Sequence, residues 1–77
     1  MNKKLLKSKM ALNGDNNRTI AEKIGITPAS FSNKLNSKRE FTRDEMIKIR
    51  NIYGLSNMEF LLIFFVPFVD KTEQNKI

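Results

Sequence analysis

The chain has no cysteine and no histidine. Without cysteine there is no disulfide framework and no thiolate for a metal or for catalysis. Without histidine the usual general base and the commonest metal ligand are missing. The remaining acids and bases are ordinary surface types. No catalytic or metal-ligating constellation emerges from them, and a protein that is not an enzyme, needs no cofactor and holds no metal is expected. A membrane-spanning run is also missing. The longest apolar stretch, FLLIFFVPFV from Phe60 to Val69, is half the roughly 20 residues a span needs, and it contains Pro67. The start, MNKKLLKSKM, has charges but no apolar signal core, so a cytoplasmic chain is expected. There are no repeats and no strand-like alternation.

What is present is helical pattern and positive charge. Seventy-seven residues make one domain with a modest core, expected over residues 1–69, with a polar tail over 70–77. The net charge is +6 and uneven. Residues 1–50 hold twelve Lys or Arg against five acids, whereas residues 51–77 hold two Lys against three acids. A basic first two-thirds suits a polyanion, most simply nucleic acid. The plainer alternative is a solubilising surface.

The fold class expected is all-α, a compact bundle of four to five short helices. In the first, Leu5, Leu6, Met10 and Ala11 recur at helical spacing, with lysines on the other face, and Asn13-Gly14 stops it. Asn16 is the best N-cap for a second helix whose inward face is Ile20, Ala21 and Ile24. Gly25 ends it, Ile26 drops into the core, and Thr27 caps a third helix with Pro28 at its first position. Phe31 and Leu35, four apart, face inward. Thr42 to Glu45 is a capping box opening a fourth helix, with Met46, Ile49, Ile52 and Tyr53 as its stripe and Gly54 as its end. Ser56 to Glu59 opens a fifth, expected to run to Val66 before Pro67.

The stretch TIAEKIGITPASFSNKLN meets the spacing demands of a helix-turn-helix. A small residue, Ala21, sits where a second helix must cross closely. Gly25 lies at the hinge four positions later, and Phe31 locks the second helix six positions beyond. The alternative is a helical hairpin used only for packing. On this stretch the chain resembles the Cro and repressor type of helix-turn-helix regulators of temperate phages, over about residues 3–66, and KLNSKREFTRDEMIKI after it resembles small phage and prophage regulators of Gram-positive hosts. One position departs from that family's pattern. Lys34 stands three residues after Phe31 where an apolar residue is usual, so Leu35 must do the packing.

The resemblance implies a DNA-binding surface on the third helix. Thr27, Pro28, Ala29, Ser30, Ser32, Asn33 and Asn36 would face the major groove. Arg18, Lys34, Lys38, Arg39 and Asn17 would reach phosphates. Only Asn33 and Asn36 are good base readers, and Pro28 and Ala29 offer a thymine methyl apolar contact at most. The reading face is thinly equipped.

The run FLLIFFVPFV is apolar all round, more than one helix face needs. Phe64, Phe65, Val66, Phe68 and Val69 are therefore candidates for a protein-partner surface, against the alternative that they close the bundle. Size and pattern are also similar to small phage antirepressors. Two mechanisms result. In one, an antirepressor of the lysis–lysogeny switch binds the repressor protein and modulates its operator binding; the thin reading face favours this one. In the other, a Cro-like homodimer binds operator DNA directly through residues 28–36; the charge favours this one. The expected partners are a repressor or a second copy, and double-stranded DNA directly or through the repressor.

Overall fold

Five helices start and stop at side-chain signals. In the computed structural model, which describes residues 1–65, they are α1 (Lys3–Leu12), α2 (Asn17–Ile24), α3 (Pro28–Leu35), α4 (Arg43–Tyr53) and α5 (Asn57–Phe64). There are no strands among the described residues. Every N-cap is Asn, Thr or Ser, and its side chain accepts the N–H three residues on. Thr42 with Glu45, and Ser56 with Glu59, form reciprocal capping boxes as expected, and Asn16 with Thr19 forms a third. Asn2, given no role by the sequence reading, caps α1, and its backbone N–H donates to the Ile63 carbonyl at 2.8 Å. The start of the chain is thereby tied to α5.

The ends of α2 and α3 share one device. After α2, Gly25 takes φ 82, its N–H returns to Glu22 O, and the next N–H, from Ile26, returns to Ala21 O at 3.0 Å. This is the Schellman closure, and its left-handed residue is normally glycine because a Cβ strains there. The α3 end repeats the pattern without glycine. Ser37 sits at φ 63, Ser37 N–H bonds Lys34 O at 3.1 Å, and Lys38 N–H bonds Asn33 O at 2.8 Å.

The core is one cluster: Leu6, Met10, Ile20, Ala21, Ile24, Phe31, Leu35, Phe41, Ile49, Leu55 and Ile63. α2 packs on α3 and α4, and α1 packs on α5. Ala21 is fully buried and Phe31 is the largest fully enclosed side chain, as their spacing predicted. Phe41 and Leu55 lie between helices, where helical periodicity gives no signal. Phe41 nonetheless links α3 to α5, with its ring edge-on to Phe31 at 5.6 Å and to Phe64 at 5.7 Å.

Four expectations are corrected. Ala11 is exposed rather than inward, since α1 buries Leu6 and Met10 and half-buries Leu5. Ile52 lies at the exposed edge of α4. α5 ends at Phe64 with Phe65 as its C-cap, two residues short of Val66. Lys34 is buried rather than presented at the surface. Val66, Phe68 and Val69, and the expected tail, lie outside the described residues.

Candidate nucleic-acid interface

The surface of interest is built on α3. Thr27 starts the helix by accepting the Ser30 N–H at 3.1 Å, and Pro28 occupies the first helical position, where it sacrifices no hydrogen bond. Phe31 and Leu35 anchor the inward side. Leu35 does take up the packing that the departure at position 34 demands. Thr27, Pro28, Ala29 and Asn36 are then exposed, while Ser30, Ser32 and Asn33 are half-buried along the flanks.

The two expected base readers differ in availability. Asn33 is half-buried, and its backbone carbonyl, not its side-chain amide, accepts the N–H groups of both Lys38 and Arg39. Asn36 is exposed but occupied. Its Oδ1 accepts from Lys3 Nζ of α1, and its Nδ2 lies 3.5 Å from Ser32 Oγ. The link between Lys3 and Asn36 spans 33 positions and has no signature in the sequence.

Of the expected phosphate contacts, Arg18, Lys38 and Arg39 are exposed and Asn17 is half-buried. Arg18 and Asn17 line an open cleft of about 740 Å³ together with Lys7, Asn16 and Pro28, at the N-terminal end of α3. Lys38 and Arg39 leave its C-terminal end, held there by the Ser37 closure.

Lys34 is placed elsewhere. Its ammonium donates to both oxygens of Glu45 at 2.7 Å, with the two side chains 8% and 10% exposed. Glu45 also accepts the Thr42 N–H at 2.9 Å. Burial alone raises the Glu45 carboxyl, but the bonds from Lys34 and Thr42 outweigh it and hold the group below its usual range. Lys34 therefore joins α3 to α4 and does not present its charge to a phosphate. Position 34 is thus filled by an ion pair rather than an apolar side chain.

A second polar junction fixes α2. The Asp15 carboxylate, 2% exposed, accepts Lys23 Nζ at 2.9 Å, Thr19 Oγ1 at 2.7 Å and Tyr53 Oη at 2.8 Å. Burial alone raises this carboxyl, while Lys23, Thr19 and Tyr53 together hold it low. The Tyr53 hydroxyl is pushed well above its ordinary value by burial and by the neighbouring carboxylate. Asp15 thus ties the loop before α2 to α4.

The apolar end divides in two. Ile63 is fully buried. Phe64 is half-buried, its ring against Phe41 and Phe60, so this one of the residues expected for a partner packs on the domain itself. Phe65, just past the helix as its C-cap, is 53% exposed with its ring 5.6 Å from Phe60, and it follows Met58 and Leu61, both exposed on α5, at spacings of three and four. No helix among the described residues is long and apolar enough to cross a membrane. No family model matches the chain, and neither the curated proteins nor the solved structures contain a match.

Proposed function

We propose that this protein is a small regulator of a transcriptional switch, of the phage type, that binds double-stranded DNA through the outward face of α3 in a helix-turn-helix formed by α2 and α3. One observation carries the reading. The exposed face of α3 is flanked by Arg18 at one end and by Lys38 and Arg39 at the other, and none of the three is neutralised by an acid among the described residues. A helix of eight residues is about 12 Å long, comparable to the major-groove width of about 12 Å, whose banks are phosphates. Binding through this face draws most of its affinity from those phosphates. With Asn36 engaged by Lys3 and Asn33 half-buried, base discrimination is modest.

A second reading has its own observation, the exposed Met58, Leu61 and Phe65. It supports a protein partner on α5. In the antirepressor mechanism that partner is the repressor whose operator binding is modulated, and in the Cro-like mechanism it is a second copy of the chain.

One experiment separates these mechanisms. The purified chain is mixed with labelled DNA from its own locus, with and without the neighbouring repressor, and followed by gel shift and size-exclusion chromatography. A shift by the chain alone that falls steeply with salt supports direct binding. A complex with the repressor, from a chain that never shifts DNA by itself, supports the antirepressor mechanism and refutes direct binding.

A further inference from the structure

The positive charge outside α3 is not scattered evenly. The described residues contain twelve Lys or Arg. Four of them, Lys9, Lys23, Lys34 and Lys48, are held in salt bridges, which leaves eight. Of those eight, Arg18, Lys38 and Arg39 flank α3, Arg43 and Arg50 sit on α4, and Lys3, Lys4 and Lys7 are all on α1. A residue turns about 100° along a helix, so these three lysines fall within one arc of about 100°. The buried Leu6 and Met10 lie outside that arc. Lys9, also outside it, is the α1 lysine taken by an acid, Glu59.

Two contacts place this arc beside α3. Lys3 Nζ donates to Asn36 at the C-terminal end of α3. Lys7 lines the same cleft as Arg18 and Pro28 at its N-terminal end. Each end of α3 therefore has a lysine of α1 next to it. Lys4 and Lys7 are exposed and have no hydrogen-bond partner among the described residues.

Resting on the reading that α3 meets DNA, we infer that Lys4 and Lys7 make a second row of phosphate contacts on double-stranded DNA, beside the row from Arg18, Lys38 and Arg39. A lysine suits this task, being a compact charge on a flexible stem that needs no fixed geometry. Lys3 has a different part, since it is bonded to Asn36. The first helix then enlarges the footprint and raises affinity for all sequences alike, because phosphates carry no base identity. This offsets the thin reading face without adding discrimination.

The test uses the full chain and two labelled duplexes, one from its own locus and one unrelated, with Kd measured between 50 and 200 mM salt. Each phosphate contact contributes about 0.9 to the slope of log K against log salt. The K4A/K7A variant is expected to lower the slope by about 1.8, so that it loses about 12-fold less affinity than the parent across this fourfold range. Both duplexes should weaken by the same factor. K48A is the control. It removes one positive charge from α4, where Lys48 pairs with Asp44, and should leave the slope unchanged. Thermal melting checks that each variant is folded. An unchanged slope in K4A/K7A, alongside a reduced one in K38A/R39A, overturns the role of α1 and leaves α3 standing. A K48A effect as large per charge as that of K4A/K7A also overturns it, since net charge alone then accounts for the change. A parent chain that binds neither duplex at 50 mM salt overturns the reading of α3 and this inference with it.

Discussion

Replacing Lys34 by Met, which has a similar length and no charge, tests what that side chain does. The parent side chain gives two 2.7 Å bonds to a carboxylate that is one-tenth exposed. Breaking a buried pair by removing one partner costs about 3–5 kcal/mol, because the other charge stays desolvated and unpaired. Here the Thr42 N–H remains on Glu45, and the carboxylate keeps a little contact with water. The expected loss is therefore somewhat below that range, about 2–4 kcal/mol. For a domain of this size each kcal/mol lowers Tm by about 4–8 °C, so Lys34→Met should melt roughly 10–30 °C below the parent. Adding Glu45→Gln removes the stranded charge while leaving an oxygen for the Thr42 N–H, and should restore stability to within about 1 kcal/mol of the parent. Urea unfolding of the parent, both single variants and the double variant closes the cycle. The salt slope of DNA binding is measured on the same proteins. If Lys34→Met melts at the parent temperature and lowers the slope by about 0.9, the reasoning is refuted and Lys34 contacts phosphate after all.

Three further outcomes are expected. Gly25→Ala should cost about 1 kcal/mol in urea unfolding, because a Cβ there meets no atom but the φ of 82° strains it, and Ser37→Gly should stabilise by a similar or smaller amount for the converse reason. Asp15 and Glu45 both titrate below their ordinary values in the folded chain, so the stability they contribute is present above about pH 4.5 and is lost as pH falls through their folded values. Asp15→Asn should flatten that acid limb, which melts recorded from pH 2 to 7 would reveal. Phe65→Asp should leave urea unfolding within about 0.5 kcal/mol of the parent, whereas Ile63→Ala should cost about 2–5 kcal/mol, since only the latter side chain is fully enclosed. A collapse of stability in Phe65→Asp would show that this ring belongs to the core.

The local plan of the fold was legible in the residues alone. Asn16, Thr27, Thr42 and Ser56 announce four of the helix starts, and Gly25 and Gly54 two of the ends, because caps and left-handed turns depend on chain neighbours only. Helical spacing likewise marked Ile20, Ala21, Ile24, Phe31 and Leu35 as buried. The left-handed turn at Ser37 escaped notice because serine is no glycine and does not advertise it.

What the tertiary structure decided was the fate of residues whose partners lie far along the chain. Lys34 reads as one more surface charge until α4 brings Glu45 onto it, eleven positions away. Asp15 stands in the sequence as one more loop acid until Tyr53 arrives from 38 positions away. Asn36 reads as a base reader until α1 lays Lys3 on its oxygen. Phe41 has no periodic neighbour to reveal it, and becomes core because rings from α3 and α5 close on either side. A helix pattern reports which side of a segment is apolar. Whether a charge on the border of that side is solvated, paired or presented to a ligand depends on the distances between helices, and those exist only after the chain has packed.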